Sequence, residues 1–382
     1  MTSKSLRQDA ARVQIAMYPY AENPYQTLLV HALEDRDCNI VKVQYNYDRF
    51  PVRLLSQFRN AGVVHFHWID HLYYARTWLV AMLRTAFFLA MLLVLRNRGT
   101  RIIYTLHNLV PHDTRRPRFH RIVQRLIIKL ADATIVHSQQ ALNLAKETYG
   151  ERRNFHIIPH GRCEGFYPDE VSRSQARAQL KIPDNAKVAL FLGVMLKYKG
   201  VQALLESVEE LARRDVLLVL AGDTSKLEKS ARDLLTRPSQ KNVLLYEGFV
   251  PPSQIQYFMR AADCLVLPYV ESFTSGMAFL GLSFQLPIVA TNATAFNEMT
   301  DLELCLPCDP NDPISVARTI ERVCAWDRAQ FEERCSRFLE TCGLDKIADK
   351  HIALYGLSTD GAVSRKRAPE APGEARKLRP MI

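Results

Sequence analysis

The first residues, MTSKSLRQDAARVQIAMYPY, lack the apolar core of a signal peptide, and the eight cysteines are scattered through the 382 residues. These absences argue against a disulfide framework and point to a reducing, cytoplasmic setting. One Cys-x-x-Cys pair occurs, Cys305 and Cys308, with no second pair or histidine cluster near it in the sequence. A zinc site needs four ligands, so two packing thiols at a loop edge are expected and no metal. No helix-turn-helix, zinc-finger or aromatic RNA-binding signature is present, and nucleic acid is not expected as a partner. The most apolar segment, Trp78 to Gly99, lacks an uncharged run of the roughly 18 residues that a membrane span requires. Its longest such run is Thr85 to Leu95, with Arg84, Arg96, Arg98 and Arg101 around it. That excludes a span and leaves a crossover helix between two strands, which can also lie against a membrane interface.

What is present is a composition of 48% hydrophobic and 24% charged residues, that of an ordinary globular protein. The length suits two domains, each with its own core. Charge is unevenly placed: residues 1–150 hold 20 Lys+Arg against 10 Asp+Glu, of 50 and 40 in the whole chain, so the remainder is neutral. A basic first domain faces something anionic, such as a membrane surface or lipid phosphate. RVQIAMYPY, NIVKVQYNY, AGVVHFHW, TRIIYTLHN and ADATIVHSQ read as strands separated by helical lengths. A second series follows in KVALFLGVM, VLLVLAGD, NVLLYEGFV, DCLVLPYV and LPIVATN. Strands alternating with helices mean two doubly wound parallel sheets, an α/β fold with a site in the cleft between them. The expected division is a flexible N-terminus over 1–11, one domain over 12–170, a second over 186–340, a terminal helix over 341–357 and a disordered tail over 358–382.

In such sheets ligands bind outside the carboxyl ends of strands. Gly193, Lys197, Lys199 and Gly200 follow the first strand of the second series, Asp223 the second, and Gly248, Phe249 and Val250 the third. Glu271, Thr274, Ser275 and Gly276 follow the fourth, a hydroxylic cap and a glycine at a helix start, where free N–H groups favour phosphate. The lysines could neutralise a diphosphate; a plain N-cap and surface lysines are the simpler alternative. In the first series His65, His67, Trp68, Asp70 and His71 follow one strand, and His107, Asn108, His112 and Asp113 another. Dense histidines invite a metal reading, but no cysteine or carboxylate pattern completes a site. Sugar recognition, with a carboxylate or imidazole as base toward a hydroxyl, suits these residue types better. For any single histidine a structural hydrogen bond to backbone remains the alternative.

In this order GVMLKYKG, LAGD, EGFV, LPYVESFTSG and LPIVAT resemble the nucleotide-sugar half of GT-B glycosyltransferases of group 1. NPYQTLLVHAL, VVHFHW, YTLHNLVPHD and PHG, the last carrying His160, are similar to the GDP-mannose:glycolipid 4-beta-mannosyltransferases of bacterial exopolysaccharide assembly. The resemblance implies two Rossmann-like domains, a nucleotide-sugar donor and no cofactor. It places Lys199 on the donor diphosphate, Glu271 at donor-sugar hydroxyls, the Ser275 and Gly276 amides on phosphate, the Phe249 and Val250 backbone beside the base, and His107 near the sugar. His65, His67, Asn108, His112 and His160 would line the acceptor side of the cleft. Two positions depart from the family pattern. Val194 stands where an arginine is usual, with Lys197 as substitute, and Phe279 or Leu280 stands where a second glutamate would hold the ribose. The departures favour the inverting branch, which needs a base from the acceptor domain, Asp70 or Asp113. A polyprenyl-diphosphate-linked oligosaccharide at the inner face of the plasma membrane is the expected acceptor. An epimerase or hydrolase of the same fold, or a non-catalytic sugar-nucleotide-binding partner, are the alternatives.

Overall fold

The computed structural model describes residues 8–9, 13–44, 52–111, 114, 116–151, 153–236 and 242–358. Two six-stranded parallel sheets account for the two series. The first holds β1 (Gln14–Tyr20), β2 (Asn39–Gln44), β3 (Ala61–Phe66), β4 (Arg101–Thr105), β5 (Ala133–Val136) and β6 (Phe155–Ile157), in the order β2-β1-β3-β4-β5-β6. The second holds β7 (Lys187–Leu192), β8 (Val216–Gly222), β9 (Val243–Glu247), β10 (Cys264–Leu267), β11 (Ile288–Ala290) and β12 (Cys305–Pro307), in the order β9-β8-β7-β10-β11-β12. Helices cover both faces, so the central strands are apolar on both sides, as in VVHF and LVLAG, rather than alternating. Registers such as Ile15 opposite Val63 and Leu190 opposite Val219 keep the strand ends level, with the polar residues beyond them.

The expected ten strands are present, and each sheet has one more. Phe155–Ile157, not among the expected strands, is an edge strand pairing with β5. Cys305 lies on β12, not on a loop edge, and both thiols of its pair are buried and free, pushed up to about 12 by desolvation.

Helix α1 (Pro24–Glu34) is started by Asn23, whose side chain accepts from Gln26 N at 2.9 Å, and by Pro24 in the first turn, which has no N–H to orphan. This start puts Tyr25 at the cleft end of the first sheet. Helix α2 (Trp78–Asn97) is the crossover between β3 and β4. It is continuous over 20 residues and holds an 18-residue window of mean hydropathy 2.2, long and apolar enough to cross a membrane. Its inner face, Ala81, Phe88, Met91, Leu92 and Leu95, is instead core of the first domain. Beside it runs α3 (Pro117–Leu130).

Ala176 and Leu180 of α4 (Arg173–Leu180) lie in the second domain's core with Ile182, which assigns the stretch between the expected domains to the second. Ser172 and Gln175 cap α4 reciprocally. Helix α5 (Gly276–Ser283) follows β10, and α6 (Arg328–Thr341) closes the second domain. The chain then crosses back: Ile347, Ala348, Ile352 and Tyr355 of α7 (Leu344–Tyr355) pack with Ile15, Met17 and Leu29 of the first domain. Leu357–Ser358 pairs in parallel with Gln8–Asp9, the described part of the expected flexible terminus.

Candidate active site

In the second sheet the strand order reverses direction at β7, between β8 and β10, the switch point at whose carboxyl ends such sheets form a ligand crevice. Close backbone approach builds its floor. A Cβ on Gly222 would sit 1.9 Å from Gly193 O, and one on Gly200, at φ +67°, would sit 2.0 Å from Pro268 O. Val270 N donates to Tyr198 O at 2.8 Å, so the turn after β7 and the loop after β10 move as one unit. Between them lies Lys199, whose ammonium has no hydrogen bond or ion pair among the described residues and lies 5.9 Å from the centre of the Tyr269 ring. Its Nζ would stand 3.3 Å from a Cβ on Gly193, so only a glycine leaves the ammonium its full space. Desolvation without a counter-charge lowers its pKa to about 8.

Beyond Lys199, Ser275 caps α5 by accepting from Ala278 N, and Gly276 is exposed at the helix start, where first-turn amides lack intrahelical partners. Glu271 is exposed on the same loop, with no ion-pair or hydrogen-bond partner among the described residues. Gly193 and Lys199 follow β7, and Glu271, Ser275 and Gly276 follow the adjacent β10, so an ammonium, helix-start amides and a carboxylate stand past neighbouring strand ends, a set that suits a diphosphate and a sugar hydroxyl. Phe249 is exposed after β9, and Val250 packs partly against the core.

Three expected donor residues are engaged otherwise. Lys197 points outward and pairs with Glu228 at 2.9 Å, so it does not replace the arginine absent at Val194. The Asp223 carboxylate accepts from Ser225 N at 2.7 Å and closes its own turn. The Thr274 hydroxyl donates to His107 O at 2.8 Å, joining the donor loop to the first domain.

On the first domain, residues past four strand ends meet around Tyr25. Its ring lies 5.8 Å from His67, 5.3 Å from His107, 5.4 Å from His137 and 4.8 Å from His160. Trp68 stacks on His107 at 4.1 Å and 13°, and His67 Nδ1 lies 3.2 Å from His107 Nε2. His160 stacks across the domain boundary on Phe279 at 5.0 Å, one of the two positions where the resemblance implies a glutamate. Phe279 and Leu280 are buried as helix core, and Phe279 doubles as interdomain packing.

His65 does not face the cleft. It is fully buried, between Tyr355 OH at 2.9 Å and Thr105 Oγ1 at 2.8 Å, a structural role that replaces the expected acceptor contact. Burial pushes the pKa of every histidine in this group down, most for His65, His67 and His107, so the cluster is neutral at physiological pH. Asn108 is half-buried beside it. Tyr25, His137 and His351 were not singled out from sequence; the signal available was position, Tyr25 opening a helix after Asn-Pro and His137 one residue past β5.

Asp70 starts a short helix, Asp70–Tyr73, and lies near Tyr73 and Tyr104; burial raises its pKa, as suits a base. His112 and Asp113 lie outside the described residues. Among the described residues no three His, Cys, Asp or Glu side chains are grouped as a metal site requires.

Lys199 gives a pH dependence with a definite sign. A bound diphosphate stabilises the ammonium and raises its pKa, so binding takes up a proton above about pH 8. With the ligand's terminal phosphate already ionised, nucleoside diphosphate affinity is expected to fall by up to about tenfold per pH unit above about 8 relative to pH 7.5. Calorimetric titration in two buffers of different ionisation enthalpy checks this; a flat affinity to pH 9.5 would contradict it.

Two doubly wound domains with a phosphate cradle on one and a polar, aromatic pocket on the other define an enzyme that acts on a nucleotide sugar. Residues 172–338 match the glycosyl transferases group 1, and residues 2–162 match glycosyltransferase family 4. The chain belongs to the group 1 glycosyltransferases of GT-B fold and transfers sugar from a nucleotide sugar. It is 24% identical over 270 residues to a GDP-mannose:glycolipid 4-beta-D-mannosyltransferase of Xanthomonas campestris pv. campestris, covering 70% of this chain and 69% of that one. A D-inositol 3-phosphate glycosyltransferase of Corynebacterium efficiens is 25% identical over 291 residues, covering 69% and 68%. Sucrose-phosphate synthase from Thermosynechococcus elongatus superposes with a TM-score of 0.69 at 18% identity, covering 90% and 98%, which shows the same fold.

Proposed function

We propose that this enzyme moves mannose from GDP-mannose onto a lipid-linked oligosaccharide at the cytoplasmic membrane face, with inversion and without a metal ion. The observation that carries the lipid acceptor is the outer face of α2 and α3. Trp78, Leu79, Met82, Leu83, Phe87 and Leu93 of α2 are exposed, Leu79 to 70%, and Ile122 and Leu126 of α3 extend the patch. Exposed Arg76, Arg96, Arg98, Arg118, Arg121 and Lys129 surround it. A monomer does not leave so large an apolar face to water without use, and the basic rim selects an anionic surface, each cation adding about 1 kcal/mol near such a membrane. Asp70 precedes α2 by a short link, so a lipid-anchored acceptor entering over the Trp78 end reaches the candidate base first. The mannosyl donor rests on the likeness to the Xanthomonas enzyme.

In this reading Asp70 takes the proton of the acceptor hydroxyl as that oxygen attacks the anomeric carbon, and the diphosphate leaves from the opposite face. Lys199 and the first-turn amides of α5 hold the developing charge of the leaving diphosphate, the task a divalent cation performs in other transferases. Flotation with phosphatidylglycerol vesicles is the test. The protein is expected to float with anionic vesicles, less so in high salt, and Leu79→Glu/Met82→Glu is expected to stay in the soluble fraction while keeping its nucleotide affinity. Wild-type protein that never floats would end the membrane reading. A donor panel of GDP-mannose, UDP-glucose and UDP-glucuronate against lipid-linked acceptor extract tests the sugar.

A further inference from the structure

His107 stands where the donor loop meets the first domain, since its carbonyl accepts from Thr274. Its ring is held on three sides: Trp68 is stacked on its face, Tyr25 is edge-on, and His67 is hydrogen-bonded to Nε2. Only Nδ1 is left to meet a ligand. The chemistry of that atom depends on where one proton sits, because each neutral imidazole carries a single N–H. If His107 Nε2–H donates to His67, then Nδ1 of His107 is a lone pair and can act as a base. If His67 Nδ1–H donates to His107, then Nδ1 of His107 carries the proton and can only donate.

The surroundings decide between the two. His67 Nε2 is buried without a partner. The first arrangement would make that nitrogen an orphaned N–H, and the second leaves it a bare lone pair; orphaned buried N–H groups are the rarer. Of three histidines nearby with Nδ1 on a backbone carbonyl, His160 reaches Gly161 O only at 3.4 Å, and the other two follow the same choice. His137 Nδ1 lies 2.9 Å from Ile158 O and His351 Nδ1 lies 2.8 Å from Ile347 O, so both must donate through Nδ1, and both leave Nε2 buried and unpartnered. The pocket accommodates bare Nε2 lone pairs.

We propose that His67 is a positioning residue that fixes His107 as the Nδ1–H tautomer, so that His107 donates a hydrogen bond to an oxygen of the donor sugar and does not serve as the base. The assignment rests on the donor site described above. It places proton removal on a carboxylate of the first domain, and it explains why two histidines must stand together: alone, His107 could present either nitrogen chemistry.

Two-bond proton–nitrogen correlation spectra of the histidine rings read the tautomer directly, on free protein without any sugar, so this result is independent of which reaction the enzyme catalyses. Wild-type His107 is expected to show the Nδ1–H pattern, and His67→Asp, whose carboxylate can only accept, is expected to draw a proton onto Nε2. His67→Asn, isosteric with Asp but able to donate an N–H to Nε2, is expected to keep the wild-type pattern. Loss of one oriented hydrogen bond is expected to lower kcat/KM by roughly three- to tenfold in His67→Asp, with recovery in His67→Asn. An Nε2–H pattern for His107 in the wild type would overturn the proposal. So would a His107 tautomer unchanged by His67→Asp, or an Asn variant with the same spectrum as the Asp variant. Chemical shifts of the backbone elsewhere report whether each variant is folded.

Discussion

Lys199→Ala is expected to lower kcat/KM for sugar transfer by about 10² to 10³, the usual effect of removing one preorganised charge from a leaving group. The size follows from how little else is present. The family's arginine is Val194, Lys197 is engaged by Glu228, and Asp223 closes its own turn, so among the described residues of the crevice Lys199 is the one ammonium without a counter-ion. It is desolvated before the donor arrives, so part of the cost of stripping water from the charge is met during folding and not during binding. Lys199→Arg should recover little, because the guanidinium is larger than the space that Gly193 leaves. Initial-rate kinetics with saturating acceptor measure the effect. Activity within about threefold of wild type for Lys199→Ala would mean that the helix amides hold the diphosphate unaided.

The second large effect is on stability. Gly200→Ala combines a left-handed backbone, φ +67°, with a Cβ placed 2.0 Å from Pro268 O, a backbone atom that cannot swing aside. The conformational strain costs about 1–3 kcal/mol and the steric displacement about 1–3 more. Because the turn after β7 and the loop after β10 are tied by Val270 and Tyr198, the displacement also spreads the phosphate cradle. A fall of roughly 10 °C in the melting temperature is expected for a domain of this size, with weaker nucleotide binding at temperatures where the variant is still folded. Scanning calorimetry with and without nucleoside diphosphate separates the two components. An unchanged melting temperature would show that the loops relax independently.

Much of the donor half could be read from sequence because its elements are local. A strand, a glycine, a lysine and a helix cap follow one another within a few residues, and strand order then puts four such endings side by side. The acceptor half was legible in kind and not in detail. HxH, His107 and PHG could be seen as strand endings, but which histidines face the cleft depends on contacts between distant segments. His65 is turned into the core by Tyr355, 290 residues away, a pairing that no periodicity signals. The two edge strands escaped for a different reason: three residues are too few for an alternation pattern to differ from a loop. Thr274 has the residue type of a phosphate cap, and only the approach of His107 O shows that its hydroxyl is committed elsewhere.

The chain passes between the domains twice, near Arg162 and near Cys342, and the two passages are joined by Arg162 N donating to Cys342 O at 3.2 Å. Two strands of backbone held side by side act like the paired pins of a door. They set one line of junction about which the domains would swing. The Thr274 to His107 bond and the His160 to Phe279 stack tie the two sides of the cleft as well, so admitting a donor by opening would have to part both.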